Sequence, residues 1–281
     1  MISMVSKNSV KGFVRKPVVA GMFYDSDPNK LTSQLTSFFK NVKIHSKSIG
    51  VISPHAGYVY SGQTAAWATA SLKQAKTFVI LGPNHNTVGE QFSIMSSGEW
   101  KTPLGTTRIN SDVAGKLKES CDFLEEDPAA HAIEHSIEVQ LPLLQHIHDD
   151  FDIVPVSIIN TEPSDDLVVL CEKLGMAIAM LVRHYSIGII ASSDFSHYVS
   201  REEADEKDRE AIKKILSLDA SGFFKTLEST DASICGFGTI AVLMSAAKVL
   251  GLSGKLIHKS TSGDVTGDNR SVVAYHAIGF E

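Results

Sequence analysis

The sequence predicts a single α/β domain, an αβα sandwich around a central mixed, largely parallel sheet. Three observations carry this expectation. Short apolar runs at 49–53, 77–81 and 187–191 alternate with amphipathic stretches of helical length, the pattern of strands joined by crossover helices. Each of these runs ends in turn residues and then a histidine or a histidine-containing cluster. Beyond that recurring design there is no internal repeat, and no Pro/Gly/Ser linker or composition break divides the chain.

Taken in order, residues 1–12 are polar and predict a flexible leader, which sets the domain at 13–281. A short apolar segment at 18–24 follows. Asp27-Pro28 then supplies a cap and a first-turn proline for a helix over 29–41, with Leu31, Leu35, Phe38 and Phe39 on one face. The strand at 49–53 is stopped by Ser53-Pro54, because proline removes a ladder donor and fixes the backbone, and His55 is delivered at its carboxyl end. A small-residue helix runs from 61 to about 72. The strand at 77–81 ends in Gly82-Pro83-Asn84-His85-Asn86.

Residues 92–95 predict another strand, 100–105 a loop and 112–120 a helix. The stretch from His131 to Pro142 opens the next helix. A β-rich segment at 152–159 and a long amphipathic helix at 165–183 lead to the apolar run 187–191, which enters Ser192-Ser193-Asp194-Phe195-Ser196-His197-Tyr198. Helices at 201–216, 220–227 and 236–250 and strands at 255–260 and 271–280 complete the chain.

Composition excludes several classes. A chain of 281 residues with 43% hydrophobic and 21% charged side chains is an ordinary globular protein, neither disordered nor collagen-like. The net charge of -6 and the absence of a basic block argue against nucleic-acid binding. Residues 1–16 lack the apolar core of a signal peptide, and no run approaches the ~20 apolar residues of a membrane span, so a cytoplasmic location is expected. Cys121, Cys171 and Cys235 are odd in number and widely spaced, which argues against a disulfide framework or a structural zinc knot.

The chemistry concentrates at strand ends. In open α/β sheets the loops at the carboxyl ends of the strands meet along one edge, where ligands bind. That edge is expected to hold His55, His85 and the Asp194/His197 pair. Cys235 precedes Gly236-Phe237-Gly238 at a predicted helix N-terminus, where the dipole and free amides favour a thiolate. Imidazoles and a thiolate are ligands for Fe, Zn or Cu rather than for Mg or Ca. Taken singly, a strand-end histidine is more often a packing residue and a cysteine a small buried hydrophobe. Convergence of four such groups is what points to a metal.

His131 and His135 are four apart and can share a helical face, but the HExxH order is missing. The alternative is that His135 lines the same cleft and orients a substrate, with Glu134 capping a helix or holding a histidine tautomer. Residues 261–268 resemble a phosphate loop only in composition and read as a polar turn. Ser192/Ser193 with His197 lack a GxSxG elbow. Cys121 and Cys171 read as structural.

The motifs SPHAGYVYSG, LGPNHN, EHSIEVQLPLL, SSDFSHY and CGFG, in this order, resemble the Memo family (mediator of cell motility), whose prokaryotic members include the B protein of the AmmeMemoRadiSam system. The resemblance runs from about Arg15, with PVVAGMFY, to the final strand. That family is in turn similar to LigB-type class III extradiol dioxygenases, which open catechol rings with non-heme Fe(II). The resemblance implies an αβα sandwich with His55 and His85 as metal ligands and Cys235 where the dioxygenases have a carboxylate ligand. It places His197 at the acid/base histidine, with Asp194 beside it in the cleft. Fe(II) is the expected metal, with Cu or Zn favoured by the softer thiolate. A small catechol-like aromatic is the expected substrate. The resemblance also implies alternatives: a non-enzymatic metal, redox or peptide-binding protein, or an accessory to a radical-SAM protein.

Overall fold

The computed structural model describes residues 13–40, 42–43 and 47–281. The predicted leader at 1–12 and the end of the first predicted helix at Asn41 lie outside the described residues. Along the chain run β1 (Val14–Arg15), α1 (Pro28–Phe39), β2 (Gly50–Ser53), α2 (Tyr58–Ser71), β3 (Thr77–Pro83), β4 (Phe92–Ile94), β5 (Glu99–Thr102), β6 (Gly105–Arg108), α3 (Ser111–Ser120), β7 (Glu125–Glu126) and α4 (Ala129–Ala132). A 3-10 turn at Glu138–Gln140 leads into α5 (Leu141–Ile147), β8 (Asp152–Ile158), α6 (Asp165–Val182), β9 (Ile187–Ser192), β10 (His197–Val199), α7 (Arg201–Leu216), α8 (Ala220–Thr230), α9 (Phe237–Leu250), β11 (Gly254–Thr261), α10 (Gly263–Thr266) and β12 (Val272–Phe280).

The large sheet has the order β10-β12-β2-β9-β3-β8-β4-β7, with β11 also paired to β12. Its centre, β2, β9, β3 and β8, is all parallel, and antiparallel strands join at both sides: β12 on β2, β4 on β8. Every residue of β2, β3 and β9 is buried, as expected of parallel strands covered on both faces, and this is why they read as unbroken apolar runs. The register pairs Ser53 with Ser192, Leu81 with Ala191 and Pro83 with Ile158. The four central strands therefore finish along one edge. A separate three-stranded sheet joins β1, β5 and β6.

Helices flank the sheet. On one side α9 lies across β9, β3 and β2 with α6 against it; on the other α2 covers β2, β11 and β12, backed by α1 and α5. Asp27 caps α1 by accepting from the amides of Asn29 and Lys30, and Pro28 occupies its first turn. The face so directed inward buries Leu31 and Leu35 completely, which contributes about 1.5–3 kcal/mol for each side chain.

Two local expectations are corrected. The predicted loop at 100–105 is the hairpin of β5 and β6, turning through Pro103 and Leu104. Trp100 and Thr102 are buried while Lys101 is exposed, a strand alternation that the Pro and Gly of the turn obscured. The stretch from His131 to Pro142 is not one helix opening. It passes from α4 through a non-helical turn and the 3-10 segment before α5 begins. The cause is Glu134, whose carboxylate takes the amides of His135 and Ser136 that a helix would have bonded to its own carbonyls. His131 and His135 consequently do not share a helical face.

Candidate metal centre

Three strand ends, one turn and one helix start supply the site. β2 ends in Pro54-His55, β3 in Asn84-His85, and β9 in Ser193-Asp194 just before His197. The turn after α4 adds Glu134 and His135, and Cys235 stands two residues ahead of α9. Two glycines allow this crowding. A Cβ on Gly236 would lie 2.5 Å from the Ser192 carbonyl oxygen and the Ser193 Cβ. One on Gly82 would lie 2.5 Å from Ser136 Oγ. Without them neither the start of α9 nor the Glu134 turn reaches the sheet edge.

One ring nitrogen each of His55, His85 and His135 lies within 4.8 Å of the other two. The rings of His85 and His135 stack at 4.7 Å, and the ring of His55 stands edge-on to both, at 5.2 and 5.5 Å. The outer nitrogens are already committed. Ser192 donates its hydroxyl proton to the Ser136 carbonyl (2.7 Å), so its oxygen accepts from Gln140 Nε2 (2.9 Å) and from His55 Nδ1 (2.9 Å). His85 Nδ1 lies 2.9 Å from Glu134 Oε1, and His135 Nδ1 lies 3.3 Å from the same oxygen. Protons held on Nδ1 leave the Nε2 lone pairs free, the tautomer that metal-binding histidines take when a second group fixes the far side of the ring.

Glu134 organises this half of the site. Its buried carboxylate accepts from His85 N (2.7 Å), His85 Nδ1, Asn86 Nδ2 (3.0 Å), and the amides of His135 and Ser136 (2.9 Å each). Burial pushes its pKa up, but the His85 hydrogen bond, the neighbouring histidines and the Ser136 amide pull it down to about 2. The expectation that Glu134 holds a histidine tautomer matches this geometry. Burial, followed by the neighbouring histidines, keeps His55 well below the ordinary histidine range, and burial lowers His135 too.

Cys235 Sγ lies 3.2 Å from His55 Nε2 and accepts from the Asp194 amide at 3.2 Å. Asn160, just beyond β8, donates to the Cys235 carbonyl (2.7 Å), and the Gly236 amide donates to Ser193 Oγ (3.0 Å). The predicted thiolate is corrected. Burial and the Asp194 carboxylate push the thiol well above its usual range, which outweighs the amide bond and the helix start. In the metal-free protein the sulfur carries its proton, placed to donate to His55 Nε2.

Asp194 is buried and accepts from the His55 amide (2.8 Å), so it holds the backbone of the first histidine. Burial raises its pKa to about 6, against the opposing pull of that amide and of His197. His197 is half-buried, with Nδ1 2.7 Å from the Ser233 carbonyl, which leaves Nε2 as the acceptor. Tyr198 follows at φ 58°, an unusual conformation for an aromatic residue, and exposes its ring.

Of the residues expected at one edge, His55 and His85 converge with His135, Cys235 and Asp194 each reach His55, and the hydrogen bonds of His197 go to Ser233. His131 does not join them. It is buried against Trp100, and burial lowers it to about 4. Sequence reasoning missed Ser192 as the partner of His55, Gln140 as the donor that holds Ser192, and Arg15 and Glu138 behind Glu134. A buried polar residue inside an apolar stretch, such as the Gln140 of Glu138-Val139-Gln140-Leu141, was the available signal.

A family model described as "Memo-like protein" matches residues 15–279. The chain is 40% identical over 269 residues to a MEMO1 family protein of Thermoplasma volcanium, an alignment covering 94% of this chain and 97% of that one. It is 42% identical over 270 residues to a MEMO1 family protein of Methanosarcina barkeri, covering 94% and 99%. Among solved structures, an uncharacterized protein from Escherichia coli K12 superposes with a TM-score of 0.56 at 12% identity, covering 81% of this chain and 98% of that chain, a likeness of fold. A matching model over nearly the whole domain, with relatives near 40% identity along almost their full lengths, makes this chain a member of the Memo family.

Proposed function

We propose that the chain binds one transition-metal ion through His55, His85 and Cys235, and that its Fe(II) form is an extradiol-type dioxygenase acting on catechol-like aromatics. The observation that supports metal binding is the convergence of imidazole nitrogens whose opposite nitrogens are already tied to Ser192 and Glu134. Nitrogen and sulfur donors suit Fe, Cu or Zn. Ligands about 2.0–2.3 Å from an ion stand about 3–3.5 Å apart, the spacing His55 Nε2 and Cys235 Sγ already have, whereas the histidines close further.

A bound Fe(II) would supply Lewis-acid activation of the catechol and access to O2. The chain's own groups handle protons and orientation. His197 Nε2, its other nitrogen fixed on the Ser233 carbonyl, takes the catechol proton and returns it. Asp194, whose pKa burial raises to about 6, holds the backbone of His55, and His135, stacked on His85, orients the aromatic ring.

A second reading follows from His135 itself. Its ring nitrogen converges with those of His55 and His85, so it would serve as a further protein ligand and leave less of the ion open to substrate. That arrangement suits a copper or zinc centre in a redox, binding or accessory role. Anaerobic loading with Fe(II) followed by oxygen-electrode measurements with a panel of catechols tests the dioxygenase. Substrate-dependent O2 uptake that His197→Ala abolishes is expected. No uptake from protein holding about one iron per chain would refute ring cleavage.

A further inference from the structure

Behind the rings of His55, His85 and His135 lies a buried ion pair whose hydrogen bonds go to none of those rings. Arg15 and Glu138 are 2% and 0% exposed, with Nη1 2.7 Å from Oε2. Burying two charges costs several kcal/mol, so such a pair is poor evidence of a stabilising device. What it touches explains it better. Arg15 donates from Nε to the His131 carbonyl (2.6 Å) and from Nη2 to the Glu134 carbonyl (2.6 Å). Its guanidinium carbon lies over Trp100, 4.0 Å from the ring centroid. Glu138 accepts from the amides of Val18 (2.9 Å) and Val19 (3.1 Å) and from the Tyr24 hydroxyl (2.6 Å).

The guanidinium fork thus spans the ends of the non-helical turn. Fixing the Glu134 carbonyl on Arg15 turns the opposite side of the same planar peptide, the His135 amide, toward the Glu134 carboxylate, which also takes the Ser136 amide. That carboxylate in turn holds His85 and His135. Phe23, between the amides held by Glu138 and the Tyr24 hydroxyl, packs its ring 4.7 Å from that of His135. We propose that Arg15 and Glu138 are positioning residues for the metal centre, a strut by which the 13–24 segment sets where the rings of His85 and His135 stand. Lysine cannot replace this fork, because a point ammonium does not reach three acceptors in one plane.

The proposal rests on the metal-binding reading, so its test carries one readout with metal and one without. Arg15→Lys, Arg15→Met and Glu138→Gln are compared with wild type by Co(II) affinity, in competition with a chromophoric chelator, and by long-range proton–nitrogen NMR of the histidine rings in the metal-free protein. Leu117→Ala, a core truncation in α3, serves as a variant destabilised elsewhere. All three strut variants are expected to lose about 10–100-fold in Co(II) affinity, as when outer partners of metal ligands are removed. They should also shift the ring nitrogens of His85 and His135, while Leu117→Ala changes neither. Wild-type affinity and wild-type ring signals in folded Arg15→Lys and Glu138→Gln would overturn the proposal, as would an equal affinity loss in Leu117→Ala. If wild type binds no Co(II), the metal reading fails and the ring signals alone decide the strut.

Discussion

Replacing Glu134 by glutamine changes one oxygen to an amino group and removes one charge, and its cost can be worked out donor by donor. Oε1 faces His85 Nδ1 and the amides of His135 and Ser136, and Oε2 faces the His85 amide and Asn86 Nδ2. A glutamine oxygen at the first position keeps three bonds, each weakened from charge-assisted to neutral, a loss of about 0.5–1 kcal/mol apiece. Its amino group then meets two donors. Asn86 can turn its amide over, but the His85 amide cannot move and is left buried without an acceptor, at about 1–3 kcal/mol.

The sum is about 2.5–6 kcal/mol. The fall of the Glu134 pKa from 4.5 to about 2 gives, at about 1.4 kcal/mol per unit, an independent figure of about 3 kcal/mol. For a domain of this size that is on the order of 10 °C in melting temperature. Because the folded pKa is depressed, this stabilisation is complete above pH 4.5 and fades as pH falls toward 2. Thermal melts of metal-free Glu134→Gln and wild type at pH 7 are expected to differ by that amount, with the gap narrowing in acid. Melts within 1 °C of each other at pH 7 would refute the role assigned to Glu134.

Other outcomes follow from the same geometry. His55→Ala and His85→Ala should abolish stoichiometric metal binding by elemental analysis, while Cys235→Ser should retain some metal but lose the thiolate-to-metal charge-transfer band of the Co(II) form. Burial holds His131 at about 4 against 6.5 unfolded, so the unfolded chain takes up the proton first, and the stability due to this residue is present above 6.5 and lost toward 4. Lowering pH from 7 to 5 should therefore cost wild type about 2 kcal/mol more than His131→Leu, read from urea unfolding at both pH values. Gly236→Ala should destabilise by about 1–3 kcal/mol by forcing α9 from the sheet edge, whereas Gly115→Ala, whose added methyl meets nothing within 4 Å in α3, should stabilise by about 0.5–1 kcal/mol. Equal melting temperatures for these two variants would contradict the close approach at Gly236.

The fold and the residues of the candidate site were legible to different depths. Apolar runs such as Phe78 to Leu81, buried on both faces, announced central parallel strands, and proline or glycine just past each run announced where His55 and His85 would be set down. Those are local signals, carried by residues within a few positions of one another. The hairpin at Trp100 was hidden by Pro103 and Gly105, which read as loop when the partner strand is not in view. Among the described residues no helix is long and apolar enough to cross a membrane, in keeping with the composition.

By itself the sequence determined the α/β architecture, the shared edge of strand ends and the set of residues gathered there, because hydrophobic period and turn chemistry are written along the chain. Only the tertiary structure decided what those residues are to one another. Cys235 was expected as a thiolate from its helix start, yet the desolvation of its surroundings and the carboxylate of Asp194, distant in sequence, keep it protonated. His135 was expected to line the cleft, and a carboxylate that unwinds its helix also brings its ring nitrogen within 4.8 Å of those of His55 and His85. Burial and through-space charge are sums over neighbours from the whole chain, and they take values only when the fold has closed.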